Sequence, residues 1–355
     1  MTSAPRIHLA PAHPCMGWIS MNRYWQALLL ESAGDADVRS LFPEVPVESP
    51  ASPRWVRLWV RRFAYPKLIR SKVKAGVMHL LDHSFADLLK KVPPGVKTVI
   101  TVHDLIPLTE HSGLTASQQV RFARTVANVA LADRVVCVSQ HTRSEVRRLL
   151  HIPEEKLHVL PNGTSTLPAP EESMRQHLSG LPPFILTVGS SRPRKNLALL
   201  PPLARHLAAQ GHRATLVRAG DRLDESLASE IRQHADLHEL GGVSDAALAA
   251  AYATAALTLV PSTHEGFGLP VLEAMHAGCP VVHSLATSLP EVAGEAGLGF
   301  DPADAAQAAA LCLQILTDPS LRQQKISAGL ERAAEFTWKA HWQGLQKIYM
   351  ELLQS

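Results

Sequence analysis

Residues 260–284 read VPSTHEGFGLPVLEAMHAGCPVVHS, and they decide the fold class. An apolar run ends at Val260–Pro261, and a loop carrying Glu265, Gly266, Phe267 and Gly268 follows. Pro270 suits a first helical turn, where its missing N–H is not needed, and Gly278 suits the end of that helix. Pro280–His283 is then a second strand. Strand, loop, helix and strand in short succession make the repeating unit of a parallel sheet flanked by helices. A helix start beside glycines presents bare N–H groups and a positive dipole end, which suits a phosphate. Glu265 on the loop and Glu273 one turn into the helix flank that anion position. Carboxylates accept hydrogen bonds from vicinal hydroxyls, so the pair fits a sugar–phosphate–ribose ligand. The two glutamates taken alone also fit a surface loop and an ordinary amphipathic helix.

Outward from this segment the same alternation continues in both directions. Strands are expected at Arg6–Leu9, Val77–Leu81, Thr98–Val102, Arg134–Val138 and His158–Leu160 in the first half. Helices are expected at Met21–Ser32, Ser117–Ala132 and Thr142–Leu150. The stretch Thr164–Pro183 is polar and proline-rich, as a linker would be. Beyond it come strands Phe184–Val188, Ala214–Ala219 and Leu257–Pro261. Helices Leu197–Gln210, Glu225–His234, Asp245–Ala253 and Pro270–Ala277 interleave with them. Helices near Ala303–Thr317 and Ser320–Glu335, and an amphipathic one at Trp338–Leu353, close the chain. Two successive Rossmann-like α/β units are the expected architecture, with ligand at the C-terminal strand ends.

Composition narrows the function classes. With 355 residues, 46% of them hydrophobic and 19% charged, the chain suits two globular domains. A net charge of +3 makes no whole-protein field for nucleic acid. Cys15, Cys137, Cys279 and Cys312 have no metal-site or disulfide-framework spacing, which suits a reducing compartment. The start lacks a signal peptide's apolar run, and no stretch reaches ~18 uninterrupted apolar residues. The expected location is cytoplasmic, at most peripheral on the inner face of the plasma membrane. No G-x-G-x-x-G follows the first strand, which disfavours an NAD dehydrogenase.

The signature segment resembles that of the retaining GT-B glycosyltransferases called family 4, or glycosyl transferases group 1. Further pieces lie in the family's order. Gly189-Ser190-Ser191-Arg192-Pro193-Arg194-Lys195-Asn196 follows the first strand of the second half. Gly242-Val243-Ser244-Asp245 precedes a helix. Val138–Thr142 and Val159–Gly163 resemble the last segments before the family's linker, and Leu289-Pro290-Glu291-Val292 its post-signature strip. The resemblance implies two domains facing a cleft: an acceptor-side domain at 1–165, a linker at 166–183 and a donor-binding domain at 184–336. A final helix at 337–355 would cross back to the first domain. It implies that Glu273 holds the donor ribose, Glu265 the hexose, and the N–H groups of Phe267, Gly268 and Leu269, with Gly266 beside them, the diphosphate and sugar. Lys195 would neutralise the leaving phosphate, and the loop of Val243 would cradle the base. Ser190 stands where many relatives have arginine, which leaves Arg192 or Arg194 to supply the second cation. The activity implied is retaining hexosyl transfer, possible with mannose, from a nucleotide-diphosphate sugar to a saccharide or lipid-linked acceptor. No cofactor or metal is implied. Within the same fold, a nucleotide-sugar epimerase, a phosphorylase and a non-catalytic nucleotide-sugar-binding protein are the alternatives.

In the first half, the resemblance places His103, at a strand end, beside the donor hexose, while Asp104 suits a turn cap. Gly17 occupies the first strand–helix loop, where relatives carry glycines near the acceptor and phosphate. Asp35-Ala36-Asp37 looks like a metal-binding DxD but lies in a segment of loop character. From Ser49 through Leu81 there is no acidic residue, yet eight cations fall between Arg54 and Lys74. Trp55, Trp59 and Phe63 recur at four-residue spacing, on one face of a helix expected to end before Pro66. Such a helix suits either an anionic membrane surface or packing on the core through its aromatics. Nucleic acid is disfavoured, because the rest of the chain has no matching patch.

Overall fold

The computed structural model describes residues 6–35, 37–43, 52–109, 113–164 and 167–355. It divides into two compact units, one ending at Gly163 and regaining the chain at Thr337–Ser355, the other covering Thr164–Phe336. The first is built on β1 (Ile7–Ala10), β2 (Val38–Ser40), β3 (Val77–Leu80), β4 (Lys97–Val102), β5 (Arg134–Cys137) and β6 (Leu157–Val159). They form one parallel sheet in the order β2-β1-β3-β4-β5-β6. The second unit has β7 (Phe184–Gly189), β8 (Thr215–Gly220), β9 (Asp236–Gly241), β10 (Leu257–Val260), β11 (Val281–Ser284) and β12 (Leu298–Phe300), again all parallel. Its order is β12-β11-β10-β7-β8-β9, so the winding reverses between β7 and β10. The two loops leaving a reversal point diverge to opposite faces of the sheet, and the crevice between them is where such folds take ligands.

Three of the four edge strands, β2, β9 and β12, escape the sequence reading. Asp236–Gly241 has no fully buried residue and no apolar run, so pairing with β8 is what makes it a strand. The expected linker also holds structure. Helix Glu172–Ser179 buries Leu178, and Glu171 N–H bonds the Ala246 carbonyl at 3.0 Å, tying the segment to helix Asp245–Thr254 of the second unit. Asp35 and Asp37 make a turn into β2, with the Asp37 N–H on Asp35 Oδ1 at 3.0 Å.

The basic helix does not stop before Pro66. Arg54–Trp59 continues through a π-helical turn, Val60–Ala64, into Tyr65–Lys72. Tyr65 N–H reaches back five residues to the Val60 carbonyl, and this wider turn makes room for a proline ring inside the helix. Val56, Val60, Tyr65 and Ile69 face the core, while Trp55, Trp59 and Phe63 are exposed, so of the two alternatives packing on the core through these aromatics does not hold.

Helix Trp338–Gln354 packs Trp342, Leu345, Tyr349 and Leu352 against Leu9, Leu28 and Val99 of the first unit. A buried chain of side chains locks it there. The Pro161 carbonyl can only accept, so His341 donates to it from Nδ1 at 2.8 Å and accepts from Tyr24 OH at Nε2 at 2.9 Å. Tyr24 oxygen then accepts from Thr101 at 3.3 Å, Thr101 from His79 Nε2 at 2.8 Å, and His79 Nδ1 from Tyr349 OH at 2.6 Å. One acceptor at the end orients every hydrogen, with both imidazoles neutral.

Candidate active site

In the second unit, the loops after β7 and β10 are joined at the reversal point. Thr263 N–H bonds the Arg194 carbonyl at 2.8 Å, and Asn196 Nδ2 bonds the Pro261 carbonyl at 3.1 Å. The joined loops bring three charges together. Glu265 Oε1 takes Lys195 Nζ at 2.6 Å, and Oε2 takes Arg194 Nη1 at 2.7 Å. Ser262 adds a third bond, to Oε1 at 2.8 Å. Burial alone would push the Glu265 carboxyl up, but Lys195 and Arg194 outweigh it and hold the group below its ordinary value. With the buried Lys195 and the half-buried Arg194 against one carboxylate, the triad is chemically open to an anion. Of the two candidate arginines, Arg194 pairs with Glu265 and Arg192 is exposed. Ser190 is not part of the triad. Its neighbour Ser191 anchors the loop instead, through its N–H on Asp221 Oδ2 at 3.0 Å.

The backbone of Glu265 is held as firmly as its side chain. Its N–H bonds Thr287 Oγ1 at 2.9 Å, and its carbonyl accepts from Ser288 Oγ at 2.9 Å. Helix Leu269–His276 begins directly after, with Gly268 at φ 102°. The left-handed backbone angle is what favours glycine there; a Cβ would also press on the Leu289 Cδ2 tip at 2.8 Å. At the helix start Pro270 has no N–H and the Val271 N–H is taken by the Gly268 carbonyl at 3.0 Å, so the Leu269 N–H, following the buried Phe267 and Gly268, stands at the positive end of the helix. Glu273 follows, half-buried, with Tyr252 OH donating to its Oε2 at 3.0 Å. Tyr252 comes from helix Asp245–Thr254, which Val243 precedes and Ser244 caps. One helix thus sets both the half-buried Val243 loop and the Glu273 partner.

The family models for "Glycosyl transferases group 1" and "Glycosyltransferase Family 4" match residues 170–332 and 27–166. The O-antigen chain mannosyltransferase B of Escherichia coli is 33% identical over 259 residues, 68% of this chain and 67% of that protein. The chain belongs to the group 1 glycosyltransferases. The serotype-specific mannosyltransferase WbdA of Escherichia coli is 31% identical over 263 residues, and there the matched region spans 68% of this chain but only 32% of the relative's length. Among solved structures, sucrose-phosphate synthase from Thermosynechococcus elongatus shares the GT-B fold, with a TM-score of 0.74 at 23% identity and 99% of each chain covered.

Further residues of this glycosyltransferase support the triad without having drawn notice in the sequence. Besides Ser262, Thr287 and Ser288, these include Arg218, which is 2% exposed inside β8. Its Nη2 donates to the Gly189 carbonyl at 2.7 Å, fixing the exit of β7. Gly189 has φ 128°, and a Cβ there would lie 3.3 Å from Lys195 Nζ. An arginine within the apolar run Ala214–Ala219 was the available signal, and alternation alone could not assign it a partner.

In the first unit, Gly17 is exposed and has φ 75°, closing the turn after Pro14–Met16. His103 lies at the end of β4 and is buried. Its Nε2 donates to the Leu81 carbonyl at 2.9 Å, which leaves Nδ1 of the neutral ring an acceptor. Burial pushes its pKa down, Asp82 pushes it up, and His83 pushes it down, with a net lowering that favours this neutral form. Asp104 caps the following turn through the Ile106 N–H at 3.1 Å. Among the described residues no helix is long and apolar enough to cross a membrane.

Proposed function

We propose that this glycosyltransferase moves a hexose from a nucleotide-diphosphate sugar to a saccharide or lipid-linked acceptor with retention of anomeric configuration, in surface polysaccharide or glycoconjugate synthesis. The observation that carries the reading is the Arg194–Glu265–Lys195 triad at the β7/β10 reversal. GDP-mannose is the donor of choice, because the relatives named above are mannosyltransferases; a UDP-hexose is the alternative. Lys195 and Arg194 take the diphosphate together with the N–H groups of Phe267, Gly268 and Leu269. Glu265 takes a hexose hydroxyl, Glu273 the ribose and the Val243 loop the base. His103 accepts a hydroxyl hydrogen at Nδ1, and Gly17 serves the acceptor and phosphate side.

The chemistry is positioning plus charge neutralisation. The acceptor oxygen bonds the anomeric carbon on the face from which the nucleotide diphosphate departs. The bond from that carbon to the phosphate oxygen breaks, and the acceptor's proton passes to a leaving phosphate oxygen. The two cations and the helix N-terminus do what a divalent metal does elsewhere, and no cofactor is required. Transfer is therefore expected to continue in excess chelator. Loss of activity restored by manganese or magnesium would reject that part of the reading and return attention to Asp35 and Asp37.

Glu273 provides the direct test of the donor assignment. Losing a charge-assisted hydrogen bond worth ~1.5–3 kcal/mol predicts roughly ten- to hundredfold weaker nucleotide binding in Glu273→Ala. Calorimetric titration with GDP and UDP measures this and identifies the base. Unchanged affinity in a folded variant contradicts the assignment, and nucleotide release without sugar transfer points to an epimerase.

A further inference from the structure

The helical stretch from Arg54 to Lys72 presents a face that the donor site does not use. Trp55 is 69% exposed, Phe63 63%, Trp59 44% and Leu58 41%. Spacings of three and four residues put them on one stripe, continuous across the π-helical turn. Their exposure is not a consequence of a loose helix, because the opposite side is tightly packed: Val60, Tyr65 and Ile69 are wholly buried. Large apolar side chains gathered on a surface mark an interaction site.

The charges around the stripe identify its occupant. Arg62 lies within it, Arg54 and Arg57 flank it, and Lys67 and Arg70 extend it along the following turns, all exposed. Arg61 differs: it turns inward, with Nη2 on Asp87 Oδ1 at 2.8 Å. A second copy of the chain would bring two such cationic faces together, so like charges oppose self-association through it. Single-stranded nucleic acid stacks its bases on aromatics set in a charged groove, whereas this stripe is convex, lies on one helix and includes aliphatic Leu58. Aromatics set at the interface, with arginines and lysines beside them, match the layered chemistry of an anionic bilayer, acyl chain below and phosphate above.

We propose that this face docks the first unit on an anionic lipid surface, with Trp55, Leu58, Trp59 and Phe63 entering the headgroup layer and the neighbouring cations on the lipid phosphates. The inference stands apart from the donor site and holds whichever sugar is transferred.

Co-sedimentation of the full chain with vesicles tests it, using phosphatidylcholine alone and phosphatidylcholine mixed with phosphatidylglycerol. Binding is expected on the anionic vesicles only and should weaken with salt. A Trp55→Ser/Trp59→Ser/Phe63→Ser variant and an Arg62→Gln/Lys67→Gln/Arg70→Gln variant should each lose at least roughly tenfold in partitioning, since a cation near such a surface contributes roughly fivefold. Arg61 is kept in both, because it belongs to the fold. Thermal unfolding and nucleotide binding, unchanged in both variants, show that the fold and donor site are intact. The proposal is overturned by absent binding, by binding indifferent to lipid charge or to either variant, or by a dimer that the serine variant dissolves.

Discussion

Glu265→Gln is expected to lower turnover roughly ten- to hundredfold while nucleotide-diphosphate affinity is kept or improved. The Glu265 carboxylate engages both cations, with Lys195 at 2.6 Å and Arg194 at 2.7 Å. A diphosphate approaching them competes with that carboxylate, so its neutralisation leaves the phosphate-binding charge undiminished. The interaction lost is the one proposed for the hexose in transit, a charge-assisted bond of ~1.5–3 kcal/mol, or roughly ten- to hundredfold in rate. Glu265→Ala goes further. It removes the anionic partner of Lys195, which is only 9% exposed, and a buried ion left alone costs about 3–5 kcal/mol. That destabilisation should be partly reversed by GDP or UDP, whose phosphates replace the missing charge and favour the folded state by mass action. Steady-state kinetics, nucleotide titration and thermal unfolding of both variants separate these effects. Equal losses of turnover and nucleotide affinity in Glu265→Gln would place Glu265 on the nucleotide instead, and full activity would remove it from the site.

The second large effect concerns acid. Burial draws the pKa of His341 from the ordinary 6.5 down to about 4, against the pull of its bond to the Pro161 carbonyl. His79 too is held well below its ordinary value, by burial and by its neighbours His341 and His103. In the unfolded chain these imidazoles take up protons below about pH 6.5, whereas the folded chain leaves them neutral. The unfolded state then binds more protons, so stability is full above that pH and falls as pH drops from 6.5 toward 4. His341 alone accounts for on the order of 3 kcal/mol of this loss across its interval from 6.5 to about 4. Protonation also reverses the hydrogen-bond direction at His341 Nε2, which Tyr24 needs as an acceptor. Denaturant unfolding from pH 7.5 to 4.5 should show the decline, and His341→Leu should flatten its slope. Because that variant also removes the donor to the Pro161 carbonyl and the acceptor for the Tyr24 O–H hydrogen, its baseline falls by about 1–3 kcal/mol. The slope is therefore the informative reading. A wild-type profile flat down to pH 4.5 contradicts neutral, buried histidines.

Much of the candidate site's framework was legible because its signals are local. Pro270 and Gly278 bound helix Leu269–His276 to within two residues, since a missing N–H and a left-handed φ act on their own turn. The apolar runs that became β3, β4, β7 and β10 are buried on both faces, so their composition alone announced them. Order along the chain thus placed Glu265 on a loop, Glu273 on a helix and Lys195 after a strand, and gave the alternation that makes two parallel sheets.

What tertiary structure decided was which distant groups meet. Nothing local distinguishes Arg194 from Arg192; the loop from β10, carrying Glu265, selects one by proximity. Nothing local makes Asp236–Gly241 a strand, because its hydrogen bonds belong to β8. Thr287 and Ser288 read as loop residues until the backbone of Glu265 lies against them. The direction of the His341–Tyr24–Thr101–His79–Tyr349 chain depends on one carbonyl, at Pro161, some 180 residues from His341 in sequence. The four-residue spacing of Trp55, Trp59 and Phe63 defined a face but not whether it turned inward. Val56 and Val60 fill the core beneath it, so the aromatics are left outside. Dihedral preference and periodicity act over a few residues and survive in the sequence. Ion pairing, strand pairing and burial compare partners far apart along the chain, and only folding brings those partners into competition.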